Sequence, residues 1–159
     1  MITAEQLITR TAKPVRTVFD ATGIFRPMVH FMRDDGSEAF FTFPAVLTDK
    51  DQWAIYARAV LKAEKAVTCV FVNEAWALYA KNVSREDVDR LVEKGLEHNP
   101  DRQEIIMFGG EDVNGAVTAA IPIIRPEGRK ACLGDLKIDE RMHSEGRFVG
   151  LLPAKKANA

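Results

Sequence analysis

Two short glycine-closed turns constrain this chain more than any other feature. Asp34-Asp35-Gly36 sits between residues 26–33 and 37–43, and Asn114-Gly115 sits between residues 104–112 and 116–125. The flanking runs are rich in β-branched and aromatic residues, which suit a pleated, half-buried strand. Asp-Gly and Asn-Gly favour tight hairpins, because a two-residue loop needs positive φ at both positions. Antiparallel hairpins are therefore expected. With Asp35-Gly36 as the loop, Arg33 faces Glu38, Phe31 faces Phe40 and His30 faces Phe41, which groups His30 with Met28, Met32, Phe41 and Phe43 on one face. With Asn114-Gly115 as the loop, Phe108 faces Ile121 and Glu104 faces Arg125. Pro122 cannot donate to a ladder and is expected at an edge or a bulge.

The remaining patterns fill in around these hairpins. Thr3-Ala4-Glu5-Gln6 is a capping-box pattern that starts a short helix to about Thr11, with Pro14 ending it and residues 15–20 reading as a strand. Residues 48–66 read as a long helix. Trp53, Tyr56, Ala57, Val60 and Leu61 share one face, and Ile55, Ala59 and Ala63 widen the apolar arc, so this helix is expected to lie deep. Residues 67–72 are apolar on both faces, as in a central strand. Ser84-Arg85-Glu86-Asp87 starts a further helix. Strands are expected around 131–138 and 147–152. The sum is an α+β fold: a mostly antiparallel sheet built from hairpins, with one long, largely buried helix and one or two shorter ones. Residues 1–153 form the expected domain and 154–159 a solvated tail. The order is not a βαβα alternation, which disfavours a doubly wound nucleotide-binding sheet.

Composition and motif content narrow the function classes. Lys plus Arg number 22 and Asp plus Glu 23, so the net charge of −1 gives no global attraction to nucleic acid, and no such partner is expected. Residues 1–6 carry no secretory signal, and no apolar run approaches the ~20 residues needed to span a bilayer, so a cytoplasmic protein without membrane association is expected. Cys69 and Cys132 make no Cys-x-x-Cys pair. Residues 110–115 have P-loop glycine spacing but are followed by Ala116-Val117, which lack the phosphate-binding lysine. There is no Gly-x-Ser-x-Gly elbow and no His-Glu-x-x-His helix. His143-Ser144-Glu145 resembles half of a zinc deaminase signature without its Pro-Cys-x-x-Cys half. No cofactor and no metal are expected.

Three groups of polar residues could still carry chemistry. Asn73-Glu74-Ala75-Trp76 lies at the exit of the central strand, where a carboxylate and an indole can line a pocket, although tryptophan also serves as a core anchor. His98-Asn99-Pro100-Asp101-Arg102 joins a helix end to a strand start. Loops often carry function, yet Asn-Pro also starts turns in which Asp101 can accept backbone donors. Asp139, Glu140, His143 and Glu145, followed by Arg147, form a charged connection in which Glu140 and His143 have the Glu-x-x-His spacing of di-iron bundle sites. A single copy, without a bundle, is half of what such a site needs. His30, alone among apolar neighbours, reads as a core histidine.

Glu74-Ala75-Trp76, residues 100–104, Glu111-Asp112 and residues 145–153 together resemble small uncharacterised proteins predicted from bacterial and phage genomes. The resemblance covers roughly the second half of the chain. It implies a bacterial or phage origin and attaches no activity. The function is read first as a small cytoplasmic accessory or binding protein without a complete catalytic motif. One alternative is a metal-dependent or carboxylate/His hydrolase with a site around Glu74, His98 and Asp101. Another is a homo-oligomeric interaction protein, suggested by a first hairpin that is apolar on both faces.

Overall fold

The computed structural model describes residues 1–77, 84–95, 99–139 and 148–153. Their order is α1 (Ala4–Thr22), β1 (Met28–Arg33), β2 (Glu38–Thr42), α2 (Lys50–Ala63), β3 (Ala66–Ala77), α3 (Arg85–Lys94), β4 (Gln103–Asp112), β5 (Gly115–Ile124), β6 (Cys132–Leu133) and β7 (Lys137–Asp139). Among the described residues the architecture is α+β, with three helices and one curled sheet in the order β2-β1-β3-β4-β5-β6, β7 also pairing with β5. Every strand pair is antiparallel. The strand β3 is central, as its two-sided apolar pattern requires, but it continues through Asn73, Glu74 and Trp76 instead of ending at Val72.

The largest correction concerns α1. The Thr3 capping box is present: the Thr3 hydroxyl accepts from Gln6 N at 3.3 Å and the Gln6 side chain accepts from Thr3 N at 3.0 Å. The helix then runs through Pro14 for 19 residues and takes in the expected strand at 15–20. Pro14 is exposed, so water can satisfy the carbonyl that loses its helical donor. Meanwhile Leu7, Thr11, Val15 and Phe19 recur every four residues and are all buried against the sheet. Each full burial of such an apolar side chain is worth about 1.5–3 kcal/mol, so the stripe outweighs one lost bond and the β-propensity of residues 15–20.

The helix α2 is shorter and shallower than expected. It starts at Lys50, capped by Asp49, which accepts from Gln52 N at 2.8 Å. Its buried residues are Ala54, Ala57 and Leu61, whereas Ile55 is 68% exposed and Ala59 and Ala63 also face solvent. The expected face is the inward one, but the widened arc is not buried, and the longest, most buried helix is α1. Ser84 caps α3 through a capping box with Asp87, as its sequence predicts.

Both hairpins form, with different registers. In the first, a three-residue loop, Asp34-Asp35-Gly36, pairs His30 with Phe40 and Met32 with Glu38. Of the loop residues only Gly36 has positive φ, at +83°, so the two-residue geometry is not adopted. Asp35 stabilises the longer loop by accepting from both the backbone N and the hydroxyl of Ser37. This shift of one residue reverses the face of the partner strand: Phe31, Phe41 and Phe43 join one core, while His30 and Met28 face α1 with Phe40. Most of the hairpin's apolar surface is thus covered within the chain. In the second hairpin the loop is Val113-Asn114, and Asp112 pairs with Gly115. The shift of two keeps every side chain on its expected face but places Ile106 opposite Ile121. Pro122 falls where the outer partner of β5 changes from β7 to β6, a gap that tolerates its missing N–H. The strand expected at 131–138 is split into β6 and β7. Residues 148–153 form no strand.

The sheet is covered on both faces. The helix α1 packs on Val70, Val72, Ile106, Phe108 and Ile121. A Cβ on Gly110 would lie 2.9 Å from Ile8 Cδ1 and 3.2 Å from Ala4 Cβ, so this glycine lets the start of α1 approach β4. On the other face, α2 and residues 148–152 cover Val29, Phe31, Cys69 and Phe71.

Candidate functional site

Even-numbered residues of β3 and β4 face α1, and α1 ends at Thr22. Beyond it no described helix lies over the same sheet face, and there the strands bring together Glu74, Trp76, Arg102, Glu104 and Arg125. Trp76 pairs with Glu104 across β3 and β4 and is 40% exposed. The Arg102 guanidinium lies over its indole, 4.1 Å from the ring centroid, a cation–π stack. Among the described residues, Arg102 meets no carboxylate. Glu104 is taken by Arg125, whose Nη2 donates to Oε1 at 3.1 Å. That bond, with the nearby Glu74 charge, raises the arginine's already high pKa. Glu74 accepts from Phe25 N at 2.6 Å and so ties the chain leaving α1 to β3.

Three of the sequence candidates, Glu74, Trp76 and Arg102, therefore meet on one surface. Trp76 is not a core anchor, and the Glu74 carboxylate is occupied by backbone. Asp101 stays exposed in the preceding turn. Asn99 is the acceptor there, its Oδ1 taking Asp101 N at 2.9 Å and its carbonyl taking Arg102 N at 3.2 Å. His98, Glu140, His143, Glu145 and Arg147 lie outside the described residues. Glu104 and Arg125 complete this surface, and the sequence signals them only through their opposite charges across the second hairpin.

His30 proves to be more than a lone core histidine. Its Nδ1 lies 2.8 Å from Thr11 Oγ1, and its Nε2 lies 3.1 Å from Glu38 Oε2, which also pairs with Arg10. Thr11 Oγ1 is 2.6 Å from Leu7 O as well. The Thr11 hydroxyl spends its one hydrogen on Leu7 O and so accepts from His30 Nδ1. Burial, and secondarily the Arg10 charge, lower the His30 pKa below 6.5 and favour the neutral ring. No spacing in the sequence connects Thr11, His30 and Glu38; the packing of α1 on the first hairpin does.

On the opposite face, residues 148–152 are clamped by side chains. Phe148 stacks on Phe71 at 3.9 Å, Arg58 donates to the carbonyls of Val149 and Gly150, and Glu111 accepts from the amides of Leu151 and Leu152 at 2.9 and 3.3 Å. Glu111 is thus engaged in holding the chain. Cys69 is buried, and desolvation followed by the Glu111 charge pushes its thiol pKa far up, so it is no nucleophile at neutral pH. Among the described residues, no three His, Cys, Asp or Glu gather as metal ligands would. No described helix is long and apolar enough to cross a membrane.

Compared with protein-family models, with curated proteins and with solved structures, the chain gives no match.

Proposed function

We propose that the chain is a binding protein that grips an acidic side chain of a partner protein at the open end of its sheet. The observation that carries this reading is the Trp76–Arg102 stack. The indole covers one face of the guanidinium and orients it, while its N–H edge keeps no carboxylate of its own among the described residues. A planar, oriented guanidinium suits bidentate recognition of a carboxylate. Tryptophan and arginine also dominate the energetics of protein interfaces. The Arg125–Glu104 pair beside the stack supplies a polar rim with its charges already matched.

A photo-crosslinking residue at Asp101, which is exposed in the turn beside Arg102, tests this in the producing cell. The expected result is one dominant adduct, lost in Arg102→Glu and in Trp76→Ala. It should be restored to Arg102→Glu when the partner's contacting Asp or Glu is changed to Lys. An adduct indifferent to both substitutions, or no adduct, overturns the reading.

A further inference from the structure

We infer that a second, separate site lies between α1 and the first hairpin: a pocket that takes a single uncharged aryl or short alkyl group. Its volume is about 230 Å³. A cavity of about 150 Å³ with apolar walls stays dry and admits benzene, so this one is sized for one ring with a short substituent. Pro14, Val15 and Val18 of α1 form one side, and Met28 and Phe40 of the hairpin form the other. Thr11 and His30 line it too, but the Thr11 hydroxyl and His30 Nδ1 face each other and His30 Nε2 faces Glu38. Their hydrogen-bonding atoms are spent within the protein, and carbon is left for the wall. A charged ligand would find no counter-charge there and would lose its hydration. At the mouth, Phe40 is 70% and Val18 is 45% exposed. These two side chains carry the apolar lining of the pocket out to its mouth.

The probes are toluene and benzoate, titrated into methyl-labelled full-length protein and followed by NMR. Toluene should produce saturable shifts at the methyls of Val15, Val18 and Met28, and benzoate should produce none. Val18→Trp, at a partly exposed position, should plug the mouth and weaken toluene binding at least tenfold. Phe40→Ala, at an exposed position, should weaken it by removing a wall and serves if the first variant misfolds. The inference is overturned by shifts that do not saturate, by equal shifts at the remote exposed methyls of Val46 and Ile55, by benzoate binding as well as toluene, or by unchanged affinity in both variants. This pocket is distinct from the Trp76–Arg102 surface, so either site can fail without the other.

Discussion

On one face of the sheet a single 19-residue helix lays down Leu7, Ile8, Val15 and Phe19 in a continuous buried stripe. On the other, a 14-residue helix contributes Ala54, Ala57 and Leu61 as its buried residues, and residues 148–152 complete the cover with Phe148, Leu151 and Leu152. The first face is closed chiefly by one element with large side chains, with Phe25, Ala131 and Leu136 packed at its margin. The second is closed by two elements held together by polar clamps, Arg58 on two carbonyls and Glu111 on two amides. Both candidate sites lie on the first face, one beside α1 and one just beyond its end. A helix that carries its own apolar stripe can stop short of the sheet's edge and leave room for a site, whereas the second face uses extra chain simply to finish its core.

The largest effect should come from Phe19→Ala, which empties a fully buried position under α1 and should cost about 3–5 kcal/mol, read from urea unfolding. A loss below about 1 kcal/mol would show that α1 is not the main cover of its face. Next, Glu111→Ala should cost about 1.5–3 kcal/mol, because two backbone amides lose a charged acceptor. It should also raise hydrogen exchange at Leu151 and Leu152 before exchange rises in β3. Simultaneous exchange of both segments would make the second face as unitary as the first.

The smallest effect concerns His30, faced by Arg10 and Thr11 from α1 and by Glu38 from β2. Its folded pKa lies below 6.5, so between that lowered value and 6.5 the unfolded chain binds more protons than the folded one. The stability from the neutral ring is complete above about pH 6.5 and declines as pH falls through that window. His30→Gln, which retains a side chain able to hydrogen-bond Thr11 and Glu38, should flatten the decline in melting temperature. A decline of unchanged slope would assign the acid sensitivity to groups away from this contact.

The features legible in the sequence are those written in neighbouring residues. The Thr3 and Ser84 caps, the two hairpins, the central strand and the odd place of Pro122 all depend on contacts within a few positions of the chain. Glu74, Trp76 and Arg102 were legible as polar residues at strand ends, but not as neighbours. The His30 network was not legible at all, because a one-residue difference in the first loop changes which side chains share its face.

The chain alone determined its local alphabet: antiparallel hairpins, capped helices, an apolar central strand and an α+β composition. Tertiary packing decided that α1 should run through Pro14, that α2 should stay shallow, and that Arg102 should lie on Trp76 and Thr11 against His30. The reason is one of energy scale. Propensity and turn chemistry are worth about 1 kcal/mol per residue or less, whereas a buried stripe sums several side chains at about 1.5–3 kcal/mol each. Where the two disagree, burial sets the outcome, and burial exists only once the distant segments have met.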